Sequence, residues 1–282
     1  MTEGQFFKAA SPQEACDLLA QYDGKARLLA GGTDLMVAMN LRQQSPEVLI
    51  YIGDSDLNYI KEEGGDLVIG AGTTLSEVLN SDIIKKSAPL LVKAVSQMAS
   101  VAIRNVGTIG GNLANASPAA DSATALLALN ATLKLVSKGG ERLVPVDQFF
   151  TGPGESVLGP GEIIQEILIP AQVNGTKWGY HKIGKRKAQS LSIVSVAICC
   201  SLEGGTCKDA RIALGAVAPT PILASVAAEL LEGKALSEGL IDETAKAAAN
   251  ATSPVDDVRG SAWYRRRASE ALVRKLLAQM SV

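Results

Sequence analysis

Short apolar runs separated by polar turns fill the first part of the chain, and longer alternating runs followed by helical patterns fill the last. Ser11-Pro12-Gln13-Glu14 predicts a helix start, with serine as cap, proline at the first position and glutamate three residues after the cap. That helix is expected to reach about Tyr22 and stop at Gly24. Residues 27–30 then read as a buried strand, 35–41 as a short helix and 47–52 as a second strand, a small α/β unit. Residues 57–61 and 67–71, with a Thr74-x-x-Glu77 capping box, open a second unit. Residues 89–99 predict a helix whose apolar face is Leu90, Leu91, Ala94, Val95 and Met98. A helix over 123–129 follows. Strands over 132–137 and 141–145 flank the hairpin turn Lys138-Gly139-Gly140, and a strand over 162–169 ends at Pro170. From residue 177 three consecutive strands are expected, at 177–184, 192–202 and 207–217, with Glu203-Gly204-Gly205 as a turn. Helices over 223–231, 239–251 and 261–280 complete the chain, so strands then helices predict a separate α+β domain.

Two glycine-bearing stretches interrupt this pattern. The first reads RLLAGGTDL, a short apolar strand followed by Gly31, Gly32, Thr33 and Asp34. The second, residues 102–121, reads AIRNVGTIGGNLANASPAAD and holds Gly107, Gly110 and Gly111 within five residues. Without a Cβ the backbone lets a ligand approach its N–H groups, and a row of free amides suits anionic oxygen, typically phosphate. A single glycine pair is most simply a tight turn. Two stretches of the same form favour one shared ligand, and a diphosphate held from both sides would suit them. Neither matches a dinucleotide G-x-G-x-x-G or a P-loop. Asp121 can cap the helix that follows it.

Composition narrows the chemistry. The 282 residues are 47% hydrophobic and 20% charged, with a formal net charge of −2 and a pI of about 5.6, so no nucleic-acid partner and no charged membrane surface is implied. No apolar run is long enough for a membrane span, and MTEGQFFKAA is not a secretory leader. The four cysteines, Cys16, Cys199, Cys200 and Cys207, show no zinc or iron–sulfur spacing, and a cytoplasmic location with reduced thiols is expected. The lone histidine, His181, lies in an alternating strand and reads as a surface residue rather than a catalytic base. No catalytic side chain and no metal ligand is assigned.

AGGTDL followed by TIGGN, with GAVAPTP and Trp263-Tyr264-Arg265 further on, resembles the flavin subunits of the molybdenum hydroxylase family. That family includes the xanthine dehydrogenase and carbon monoxide dehydrogenase flavoproteins. The resemblance runs over nearly the whole chain. It implies an α+β protein: a two-subdomain FAD-binding fold of the vanillyl-alcohol-oxidase type over residues 1–172, with subdomains of about 1–55 and 56–172. A C-terminal domain over 173–282, a three-stranded sheet with helices, would follow. It also implies FAD on this chain, with molybdopterin and [2Fe-2S] clusters on a separate molybdopterin-binding subunit and iron–sulfur subunit. Electrons would pass from those clusters to NAD or another acceptor.

If the ligand is FAD, the backbone of Gly31, Gly32, Thr33 and Asp34 and of residues 108–112 would meet the diphosphate. Thr33, Thr108 and Asn112 add side-chain donors. Asp121 would accept from a ribityl or ribose hydroxyl, or serve only as a helix cap. The family pattern adds Arg27, Leu28, Leu29, Ala30 and Leu35 around the first loop, and Val101, Ile103, Gly107 and Gly111 at the second. Asn115 and Ser117 would reach the cofactor, and Ile164 would pack on it. Lys182 would approach the flavin ring, or be a solvated strand charge. Ser190 stands where many relatives have aspartate, and Leu191 where the carbon monoxide enzyme has an aromatic residue, which alters the cover over the ring. Two other readings of the same residues are a self-sufficient FAD-dependent oxidoreductase and a non-catalytic nucleotide-binding module.

Overall fold

The computed structural model describes residues 4–173 and 175–281; residues 1–3, the start of the segment read above for a leader, lie outside them. Strand β1 (Gln5–Lys8), helix α1 (Pro12–Gln21), strand β2 (Ala26–Leu29), helix α2 (Leu35–Asn40) and strand β3 (Val48–Tyr51) form the first layer. Its sheet is parallel, in the order β1-β3-β2. The Ser11 side chain accepts from the Glu14 N–H at 3.1 Å and Glu14 accepts from the Ala10 N–H at 2.7 Å, which fixes the start of α1 as its sequence predicts. Strand β1 was not expected: QFFK is too short to show a period, and its partner Val48 lies far along the chain.

The second layer is an antiparallel sheet in the order β4-β5-β10-β6-β7. It begins with β4 (Ile60–Glu63) and β5 (Asp66–Gly70). Six short helices follow: α3 (Leu75–Asn80), α4 (Asp82–Ser87), α5 (Pro89–Val95), α6 (Val101–Arg104), α7 (Ile109–Ala114) and α8 (Asp121–Ala128). Strands β6 (Thr132–Ser137) and β7 (Gly140–Pro145), the small hairpin β8 (Phe150–Gly152) and β9 (Glu155–Ser156), and β10 (Ile163–Ile169) close the layer. The helix expected over 89–99 is shorter, because the chain leaves α5 after Val95 and Ala99 takes a positive φ of 45° that no helix continues through. Every residue of α8 is buried.

The C-terminal sheet comprises β11 (Thr176–Gly184), β12 (Ser192–Glu203), β13 (Thr206–Gly215) and β14 (Ile222–Leu223) in sequential order. It has four strands rather than three: Ile222 and Leu223, the second of them expected to start a helix, pair with Leu214 and Ala213 at the edge of β13. Helices α9 (Ser225–Glu229), α10 (Glu238–Asn250) and α11 (Ala262–Met280) follow. Strand β12 is buried on both faces, so it reads as a continuous apolar run. Ala197 and Cys199 face the core that contains α8, while Val196 and Ile198 face α11 residues Val273, Leu276 and Leu277. This double burial seats the C-terminal sheet on α8 and brings β11 and the loop after it to the glycine-bearing stretches.

Candidate cofactor site

The two glycine stretches touch. A Cβ on Gly31 would lie 1.8 Å from the Val106 carbonyl oxygen and 2.9 Å from the Gly107 nitrogen, so no other residue permits this approach. A Cβ on Gly107 would in turn stand 3.4 Å from the Thr33 hydroxyl. Gly32 has a φ of 69°, which turns the loop back toward α2. Leu29 packs behind this loop, its side chain close to where a Gly32 Cβ would be.

The loops differ in what they offer. The N–H groups of Gly31, Gly32, Thr33 and Asp34 donate to no backbone carbonyl among the described residues, and neither does that of Thr108. The second stretch is otherwise not the row of free amides that its glycines predict; it forms helix α7. The N–H of Ile109 donates to Thr73 and that of Gly110 to Ala71, each at 2.9 Å. Gly111 N–H donates to the Thr108 hydroxyl at 3.0 Å and Asn112 N–H to the Thr108 carbonyl at 3.0 Å. Here the glycines serve packing: a Cβ on Gly110 would lie 2.5 Å from that of Ala71, and one on Gly111 2.8 Å from the Thr108 hydroxyl. Asn112 keeps its amide nitrogen for a ligand, because its oxygen accepts from Ser122 at 2.6 Å.

Asp121 does not cap α8. Ala120 holds that position, and Asp121 is the first helical residue. Its carboxylate accepts from Lys182 Nζ at 2.6 Å and from the Ser192 hydroxyl at 2.5 Å; Lys182 also donates to the Gln97 carbonyl at 3.0 Å. Both side chains are nearly closed to solvent, at 8% and 4% exposure, so Lys182 is not a solvated strand charge. The Tyr180 hydroxyl is buried with no hydrogen-bond partner among the described residues, and burial and then the Asp121 charge push it well above the ordinary phenol range. Partial burial raises the Asp34 carboxyl. Burial likewise pushes Cys16 and Cys199 up to about 11 and Cys200 to about 12, which leaves these thiols inert. His181 is pushed down by burial, Lys275 and Lys93, and it does not line the cleft.

These elements enclose a cleft of about 800 Å³. Arg27, Leu28, Ala30, Gly31, Gly32, Thr33, Asp34 and Leu35 line it from the first layer. Ile103, Gly107, Thr108, Gly111, Asn112, Asn115, Ser117, Asp121 and Ile164 line it from the second, and Lys182 and Leu191 from the C-terminal sheet. Of the residues expected there, Leu29 and Val101 are absent from its wall; Leu29 supports the loop, and Val101 points outward at 62% exposure. Unforeseen wall residues are Ala99 and Ser100 before α6, the segment Ser156, Leu158, Gly159 and Pro160, and Arg186 and Gln189. Gly159-Pro160-Gly161 signals a turn in the sequence, but nothing local tells that the turn faces a cleft.

A family described as the FAD binding domain in molybdopterin dehydrogenase matches residues 2–172, and the CO dehydrogenase flavoprotein C-terminal domain matches residues 179–280. The chain belongs to the FAD-binding subunits of the molybdenum hydroxylase family. It is 35% identical to the glyceraldehyde dehydrogenase medium chain of Sulfolobus acidocaldarius over 99% of both chains. It is 36% identical to the carbon monoxide dehydrogenase medium chain of Hydrogenophaga pseudoflava, over 97% of this chain and 95% of that one. The solved structure of a carbon monoxide dehydrogenase from that organism, lacking the Mo-pyranopterin moiety of its cofactor, superposes with a TM-score of 0.95 at 36% identity, covering 98% and 96% of the two chains. This flavoprotein is thus an oxidoreductase subunit, and its cleft fits FAD. The five unengaged amides suit a diphosphate, the glycine contact leaves room beside them, and Leu28, Leu35 and Ile164 offer apolar walls for ring systems.

Proposed function

We propose that this subunit takes electrons from the [2Fe-2S] clusters of an iron–sulfur subunit, supplied in turn by a molybdopterin-binding subunit, and passes them to NAD or another acceptor. The carrying observation is the cleft: it offers diphosphate donors and apolar walls, yet its best-placed ionic groups, Lys182 and Asp121, are spent on each other. Such a site holds and tunes a redox cofactor rather than acting as acid or base on a substrate. Bound FAD supplies the capacity to exchange electrons singly or in pairs. Loop 31–34 and Thr108 would hold its diphosphate, and Lys182, neutralised by Asp121, would line the ring end of the cleft as a fixed hydrogen-bonded pair. Among the described residues no group of three His, Cys, Asp or Glu side chains is placed to hold a metal ion. The relatives named above are themselves medium chains.

We also assign residues 1–172 to the FAD-binding part and 173–282 to a C-terminal domain, and the cytoplasm as the working compartment, in keeping with four unpaired thiols. No helix of the described residues is long and apolar enough to cross a membrane. The test is purification of the native complex with assay of molybdenum, iron, flavin and chain composition together. The FAD-loaded chain alone is expected to reduce a dye when given a reductant, and to leave hydroxylation substrates unchanged. Hydroxylation by the metal-free chain alone would rule the role out.

A further inference from the structure

The cleft wall at 157–161 has no ladder of its own. It crosses from the β8–β9 hairpin to β10 through Gly159-Pro160-Gly161, outside any helix or strand. Ordering such a segment costs backbone entropy that no ladder of hydrogen bonds offsets, so other bonds must hold it. Arg142, on the edge strand β7, reaches over β6 to do so. Its Nε donates to Glu162 Oε1 at 2.8 Å, and its NH2 group donates to Glu162 Oε2 at 2.7 Å and to the Val157 carbonyl at 2.8 Å. Glu162 Oε2 also accepts from the Gly159 N–H at 2.8 Å, and the Glu162 N–H donates back to the Gly159 carbonyl at 3.0 Å. Arg142, the first cause, and then the Gly159 bond hold the Glu162 carboxyl below its ordinary range against its own burial. The bidentate geometry sets this pair apart from an ordinary surface ion pair.

We propose that the Arg142–Glu162 pair is a positioning device that shapes this strap into the wall for the adenosine half of the dinucleotide. The proposal rests on FAD occupying the cleft. Leu158, Gly159, Pro160 and Glu162 all line it. Ile163, next in the chain, packs with Leu19 and Ala26 in the core of the first layer, so the strap belongs to that end. Lys182 and Leu191 come from the C-terminal sheet and belong to the other end, where the ring is placed. With the diphosphate held by the amides of loop 31–34, the half left for the strap is adenosine.

The discriminating probe is FMN, which lacks that half. The full-length chain, stripped of flavin, is titrated with FAD and with FMN, as wild type, Arg142→Met and Arg142→Lys. Loss of the charge-assisted fork is expected to weaken FAD binding about ten- to a hundredfold in Arg142→Met. FMN affinity is expected to stay put, the flavin-free chain to melt somewhat lower in Arg142→Met, and Arg142→Lys to recover part of the FAD affinity. Equal losses for FAD and FMN would show a general structural role and overturn the assignment, as would unchanged FAD binding in Arg142→Met. A wild-type chain that binds no FAD would remove the underlying reading instead. Should Arg142→Met not fold, Glu162→Gln decides, since it keeps an acceptor for Gly159 but loses the ion pair.

Discussion

Gly31 is the residue on which the two halves of the site meet. Its carbon would collide with backbone, not with a flexible side-chain end, so Gly31→Ala must push β2 and the Val106–Gly107 turn apart. Flavin content after purification is expected to fall at least tenfold, with FAD titration as the check; full occupancy would mean the loops do not share a ligand. The buried Lys182–Asp121 pair gives a second residue-level expectation. Lys182→Met leaves a buried carboxylate with no cation beside it, and breaking such a pair costs about 3–5 kcal/mol. Asp121→Asn in the same chain should restore most of that loss in urea unfolding, because the uncompensated charge is gone. A third concerns Asp257, which receives Arg259 and the buried Arg265 and is held far below its ordinary value, chiefly by the Arg259 bond. A depressed carboxyl stabilises above its unfolded pKa of about 3.9 and loses that contribution as pH falls further. The wild type should therefore lose more stability than Asp257→Asn between neutral pH and pH 3, as read from paired thermal melts.

At the scale of elements, helix α7 shows what was legible and what was not. The glycines of TIGGN mark a close backbone approach, and that is what the structure has. What approaches Gly110 is Ala71, inside the protein, whereas Gly111 sits against the Thr108 hydroxyl and lines the cleft. Residue type signals that space is needed, whereas the identity of the neighbour depends on a strand some forty positions upstream. Thr108 is the N-cap of this helix and also offers a free N–H to the cleft. Thr108→Ala should cost about 0.5–2 kcal/mol as a lost cap, lower the melting temperature of the flavin-free chain and weaken FAD binding. Thr108→Ser should restore both; an unchanged FAD affinity in Thr108→Ala would take the α7 terminus out of the site.

For the whole molecule, the expectation concerns how cofactor and fold support each other. Among the described residues neither His181 nor any cysteine lines the cleft, so no histidyl or cysteinyl link to flavin is expected. Acid treatment should release all the flavin, as FAD; flavin retained on the chain, or FMN alone in the supernatant, contradicts the assignment. Binding draws all three layers together, and a ligand at 100–1,000 times its Kd adds about 3–4 kcal/mol. The FAD-loaded chain should accordingly melt several degrees above the stripped one.

The sequence by itself determined the alternation of strands and helices, the capping of α1 and α3, both glycine stretches and, through them, the family and its cofactor. These are local properties: a cap, a turn or an apolar period needs only its neighbours in the chain. Tertiary structure alone decided that β1 joins the first sheet, and that Leu223, with Ile222, pairs along the edge of β13 rather than starting a helix. It also paired Asp121 with Lys182, 61 positions away, and made the strap at 157–161 a wall of the cleft. Apart from the β13–β14 pairing, each of those contacts joins residues distant in the chain, where a partner exists only once the elements have packed together, as α8 and α11 do on the two faces of β12.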